Sequence, residues 1–159
     1  MVTTRRPARE VLDDVVDPEI PVLTIADLGV LREVREVGGR VEVTITPTYS
    51  GCPAMDVIRT DIEVALHAAG YPDVTVRTVL APAWTTDWMS TAGRQKLAAY
   101  GIAPPATSGS GPVLLELGVC CPQCHSADTR RQSRCGSTAC KSLWVCNGCS
   151  EPFDHFRAI

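Results

Sequence analysis

Four cysteines near the C-terminal end stand as two Cys-x-x-Cys pairs, Cys121/Cys124 and Cys146/Cys149, with twenty-one residues between the pairs. Each pair sets two sulfurs on one tight turn, and two such turns facing each other make a tetrahedral four-sulfur cage. The interval lies just beyond the usual range for paired motifs, but the loop between knuckles is the part that varies in length. A segment of about forty residues has too little apolar core to fold unaided, so a bound metal holds this last third together. Four thiolates suit zinc or iron alike in geometry, and the regular spacing favours structural Zn(2+).

The remaining composition bounds what else the chain can be. Its 159 residues are 45% hydrophobic and 21% charged, which is the make-up of a globular protein. A net charge of -3 and a pI near 5.6 give no broad electrostatic case for nucleic acid. Arg130, Arg131, Arg134 and Lys141 are the nearest thing to a basic patch, and with few aromatics nearby for base stacking they read as a solvated loop. No run approaches the ~20 apolar residues of a membrane span. Met1 to Glu10 lacks the apolar stretch of a secretory signal. The expected location is therefore the cytoplasm, where thiols stay reduced and the eight cysteines serve as ligands rather than disulfides.

Ala103 to Pro112 reads Ala-Pro-Pro-Ala-Thr-Ser-Gly-Ser-Gly-Pro, a stretch unsuited to a regular element. It is expected as a linker (103–112) between an N-terminal domain (1–102) and the cysteine module (113–159). In the first domain Pro7 opens a helix carrying Val11, Leu12, Val15 and Val16, stopped by Asp17-Pro18. Val30 to Val37 and Arg40 to Thr46 flank Gly38-Gly39, a hairpin signal, and Val41, Val43 and Ile45 alternate with polar neighbours. Pro53 to Ala69 shows helical spacing through Met55, Ile58, Ile62 and Leu66, with Gly70 as its stop. Val74 to Leu80 reads as a third strand and Thr91 to Tyr100 as a last helix. The fold class is α+β: a small mixed sheet with packed helices, followed by a zinc-ribbon-like four-cysteine module.

One cysteine stands apart. Cys52 lies in Tyr49-Ser50-Gly51-Cys52-Pro53, where Pro53 suits the first helical position and would make Cys52 the N-cap. Backbone N–H groups and the helix dipole would there stabilise a thiolate. The alternative is a small apolar cysteine buried at a turn, and on these residues alone the two readings are evenly matched. Asp17-Pro18-Glu19 offers two carboxylates on a stiff turn and Asp27-Leu28-Gly29 a third, although turn formation is the commoner use of such aspartates. His67, His125 and His155 lie elsewhere, so a cysteine–histidine dyad has little support. Trp84 and Trp88 follow the last strand, placed either to close the core or to cover a site, with Thr85 or Thr86 able to cap the next helix.

Asp17-Pro18-Glu19, Asp27-Leu28-Gly29, the Ser50-Gly51-Cys52-Pro53 turn and Leu80-Ala81-Pro82-Ala83-Trp84 resemble the small domain of SufT-like iron–sulfur assembly factors. The same domain occurs beside Mrp-type ATP-dependent cluster carriers. Gly136-Ser137-Thr138-Ala139-Cys140-Lys141, followed by Cys146-x-x-Cys149-x-Glu151-Pro152-Phe153, is similar to the PaaD (or PaaJ) family, the D subunits of the phenylacetyl-CoA epoxidase system. The resemblance implies a non-catalytic accessory factor of aerobic phenylacetate breakdown. It would mature or repair iron or iron–sulfur centres of the oxygenase, with the diiron subunit or the iron–sulfur reductase as clients. It also implies Cys52 as the functional thiol, with Asp17, Glu19 and Asp27 beside it, handling iron or a transient iron–sulfur cluster. One thiol cannot hold a cluster, so a second copy, a small thiol or the client would complete it; a homodimer fits. Cys135 replaces an expected phenylalanine, and Cys120 doubles the first cysteine of its pair. Cys140 reads as a neighbour of the cage or as a ligand with Cys135. Two other readings stay open: a structural subunit of the oxygenase, and an electron carrier with iron in the four-cysteine site.

Overall fold

The computed structural model describes residues 5–106 and 118–158. Of the stretch expected as a linker, 107–112 lie outside the described residues, as do 113–117 at the start of the cysteine module. The chain divides into two compact units, Met1–Ser90 and Thr91–Ile159.

In the first unit Pro7 caps α1, Ala8–Leu12, which is shorter than its apolar spacing suggests. The chain leaves the helix at Asp13 and becomes extended: Val16 bridges to Thr24 and is 44% exposed, while Val15 turns inward. The β-branched pair thus does not continue the helical face. β1, Leu31–Val37, and β2, Arg40–Ile45, form the expected antiparallel hairpin through Gly38 and Gly39. β2 then pairs in parallel with β3, Asp73–Thr78, and α2, Ala54–Ala68, makes the crossover between them. β3 stops short of the predicted Leu80, whose side chain is exposed.

Val41, Val43 and Ile45 on alternate positions of β2 are completely buried, and Ile58, Ile62 and Leu66 along one face of α2 are buried as well. Full burial of each such side chain stabilises by about 1.5–3 kcal/mol. α2 ends as its glycine predicts. Gly70 takes φ +90°, its N–H reaches His67 O, and the Tyr71 N–H reaches Leu66 O, so a left-handed residue satisfies the last carbonyls.

The second unit begins with α3, Thr91–Tyr100, and the short β4, Ile102–Ala103. β5, Thr129–Ser133, β6, Lys141–Cys146, and β7, Pro152–Phe156, form an antiparallel ribbon, and β4 joins it in parallel beside β7. The strand order is β4-β7-β6-β5. Ala103, the first residue of the Pro/Gly/Ser-rich stretch, is thus a buried strand residue paired with His155. The whole is the expected α+β arrangement, a three-stranded mixed sheet with helices and then a four-stranded sheet that carries the cysteine cluster. No helix among the described residues is long and apolar enough to cross a membrane.

Candidate metal centre

Cys121, Cys124, Cys146 and Cys149 come together as the sequence spacing requires, with all four Sγ atoms within 4.8 Å of one another. The two knuckles that carry them repeat one backbone pattern. In the first, His125 N–H donates to Cys121 O at 2.9 Å and Cys121 N–H to Ser126 O at 2.9 Å. In the second, Ser150 N–H donates to Cys146 O at 2.9 Å and Cys146 N–H to Glu151 O at 3.0 Å. His125 and Ser150, each just after the second cysteine, both take a left-handed φ, 62° and 64°. Two turns of the same shape therefore face each other, one before β5 and one at the β6–β7 corner.

The sulfur geometry fits a tetrahedral ion. Cys121 Sγ and Cys149 Sγ lie 3.8 Å apart, and Cys124 Sγ and Cys146 Sγ 3.5 Å. A tetrahedron with metal–sulfur bonds of about 2.3 Å needs edges of about 3.8 Å. Cys121 and Cys146 are fully buried against Trp144, Phe153 and Ala103, whereas Cys124 and Cys149 are exposed. Behind them Trp144 packs edge-on to His155 and donates its indole N–H to Ser142 Oγ at 2.9 Å.

Within the second knuckle the two thiols are pulled in opposite directions. The Cys149 N–H draws the Cys146 thiol down to about 7. Cys149 is pushed up to about 12: the Glu151 N–H favours its thiolate, but burial and the neighbouring Cys124, Cys146 and Cys121 sulfurs outweigh that. A divalent ion held by the four sulfurs would remove the conflict, because a coordinated thiol is deprotonated outright.

Among the described residues these four are the one group of three or more Cys, His or carboxylate side chains set to share an ion. Cys120 and Cys135 are exposed outside it, and Cys140 is buried with its sulfur 3.0 Å from Thr138 Oγ1. The Gly136–Lys141 segment is stitched to β7 instead. Lys141 Nζ donates to Ser137 Oγ and Ser137 Oγ to Asp154 Oδ2, each at 3.0 Å. Nothing in the spacing of these three residues pointed to that chain.

Cys52 is half-buried on the turn before α2. Pro53 takes helical φ and ψ, as a proline in the first turn of a helix does, and no side-chain cap bond forms at that turn. The Cys52 carbonyl is what joins the helix, accepting the Met55 N–H at 3.2 Å. Asp17 is buried, and its Oδ1 accepts the Glu19 and Ile20 N–H groups at 2.9 and 2.8 Å, which makes it a turn former. Glu19 is half-buried on that turn. Asp27 and Thr24 exchange side-chain-to-backbone bonds, and Ser90 Oγ donates to Asp27 Oδ1 at 3.0 Å. Asp17, Glu19, Asp27 and Cys52 are not gathered into a metal-type cluster.

The tryptophan segment is locked onto the same turn. Trp84 is buried and donates to Leu28 O at 3.0 Å, while Trp88 carries the Arg32 guanidinium 3.5 Å over its ring. Thr85 caps the short turn Thr86–Trp88 rather than the next helix. Gly29 has φ +78°, and a Cβ there would stand 2.5 Å from Trp88 O, so only glycine allows this approach.

Comparison with known proteins matches the two halves separately. Residues 5–80 match the family described as iron–sulfur cluster assembly protein, and residues 107–157 match the PaaD zinc beta ribbon domain. The chain is 48% identical over 148 residues, 93% of its own length and 89% of the relative's, to an Escherichia coli (strain K12) protein provisionally assigned as the D component of 1,2-phenylacetyl-CoA epoxidase. It is 40% identical over 82 residues, 50% of this chain and 76% of the relative, to an Fe-S protein maturation auxiliary factor of Porphyromonas gingivalis. A crystal structure of a domain of unknown function from Bacillus anthracis covers 57% of this chain and 87% of its own, with 27% identity and a TM-score of 0.53.

Proposed function

The chain belongs to the PaaD family, which joins an iron–sulfur-assembly domain to a zinc β-ribbon, and from that premise we propose a non-catalytic accessory factor of aerobic phenylacetate degradation. It matures or repairs the iron or iron–sulfur centres of the phenylacetyl-CoA epoxidase complex in the reducing cytoplasm. Its partners are the other epoxidase subunits, above all the iron–sulfur reductase or the diiron subunit.

The observation that carries this reading is the separation of two sulfur chemistries. All four paired cysteines are committed to one cage. Cys52 stands in the other unit, half-buried on a turn of the domain that matches the assembly family. Cys121, Cys124, Cys146 and Cys149 would hold structural Zn(2+), which supplies folding energy to a ribbon with a small core. Cys52 is the transient ligand for iron or a cluster, completed by a client, a small thiol or a second copy.

The test is co-expression of the epoxidase subunits with wild-type protein or Cys52→Ala. The expected result is a client whose iron content and activity fall severalfold with Cys52→Ala, although the variant retains its zinc and its fold. Clients of full iron content and activity with Cys52→Ala would leave a purely structural subunit.

A further inference from the structure

We infer that the outer edge of β5 is a docking edge for an extended, acidic peptide segment of a partner protein. β5 is the last strand of its sheet and hydrogen-bonds only to β6 among the described strands. From Thr129 to Arg134 this edge carries Arg130, Arg131 and Arg134 and no acidic residue. Arg130, Arg131 and Arg134 are exposed, and Arg130 and Arg134 make no ion pair with any described residue.

The first unit treats its edges differently. β1 mixes Arg32, Glu33, Arg35 and Glu36, with Arg35 paired to Glu33 at 2.8 Å. On β3, Arg59 of α2 donates to Val76 O at 2.9 Å and Thr78 Oγ1 at 2.7 Å. Mixed or covered edges discourage every added strand. A uniformly basic edge discourages a second copy of itself but attracts an acidic strand, with main-chain bonds supplying affinity. The charge balance agrees: Thr91–Ile159 has seven cationic side chains against four carboxylates, whereas Met1–Ser90 has eight against fourteen. A nucleic acid fits less well, because Trp144, Phe153 and Phe156 of the ribbon are buried and leave no stacking platform.

The surface can be tested on the full chain whatever the client proves to be. The probe is a dye-labelled peptide of alternating glutamate and valine, compared with its lysine counterpart and with a single-stranded oligonucleotide. The expected result is saturable binding of the acidic peptide only, roughly tenfold weaker for Arg130→Glu/Arg134→Glu. Gln132 is the residue skipped in the β5–β6 register, so Gln132→Pro should remove binding while keeping the charge and the metal content. Hydrogen exchange on the wild type needs no variant: peptide should slow exchange across 129–134. Unchanged exchange there, binding indifferent to both variants, or an oligonucleotide held as tightly as the peptide would overturn the proposal.

Discussion

The first unit closes around Leu12, Leu23, Val43, Ile45, Ile62 and Leu66, aliphatic side chains with no exposed surface. The buried cluster of the ribbon is Ala103, Cys121, Trp144, Cys146 and Phe153, and two of these five are metal ligands. One buried cluster is therefore hydrocarbon alone, whereas the other is built partly from the sulfurs of a candidate metal cage. On the proposed reading, the contrast lets one protein hold a fixed metal in one unit and keep a separate thiol in the other. Cys52 belongs to the half whose core is hydrocarbon.

The largest effect should come from stripping the ion. Structural zinc contributes about 10–16 kcal/mol of apparent binding free energy in small zinc domains. A strong chelator should unfold the ribbon, seen as loss of amide protection across β5–β7, while the amides of α2 and β2 stay protected. Simultaneous loss in both units would break the contrast. Acid should weaken metal binding in the same direction, because protons compete for the thiolates.

Leu66→Ala tests the opposite half. Truncating a fully buried leucine on α2 should cost about 2–5 kcal/mol in a denaturation midpoint of the first unit. Metal content should not change. Gly29→Ala is a smaller perturbation. Forcing a side chain into a left-handed residue whose Cβ would meet Trp88 O costs roughly 1–3 kcal/mol before any shift of Trp88. It should appear as a changed Trp88 environment in fluorescence.

The smallest effect is an alkaline one. Burial first, and then the Glu36 carboxylate, raise the Tyr71 phenol above its usual range. A raised folded pKa means that its contribution to stability is full below the unfolded value, about 10, and lost as pH rises through the folded one. Wild type should therefore lose stability above about pH 10 more steeply than Tyr71→Phe. Parallel urea midpoints from pH 9 to 11 would check it; identical slopes would remove Tyr71 from the account.

Signals that are local and repeated were legible in the sequence. Two identical cysteine spacings located the cage, alternation in Val41, Val43 and Ile45 located β2, and Gly70 located the end of α2. Signals that depend on distant partners were not. Val15 and Val16 extend a helical pattern that stops at Leu12, because Val16 finds Thr24 as a strand partner. Nothing near Ile102–Ala103 reveals its pairing with Asp154 and His155, far along the chain. The turn at Cys52 was legible from Pro53, which takes the helical angles of a first-turn proline, but no side-chain cap bond forms there. Asp17 was legible as a turn former, but its two backbone partners leave its place in a ligand set to experiment.

The most direct test of the central claim is metal and acid-labile sulfide analysis, with absorption spectra, on anaerobically purified and reconstituted wild type and Cys52→Ala. Two separate chemistries require equal zinc in both proteins, with iron and sulfide retained by the wild type alone. Zinc alone in both after reconstitution would contradict it, and would leave the first unit without a metal-handling role.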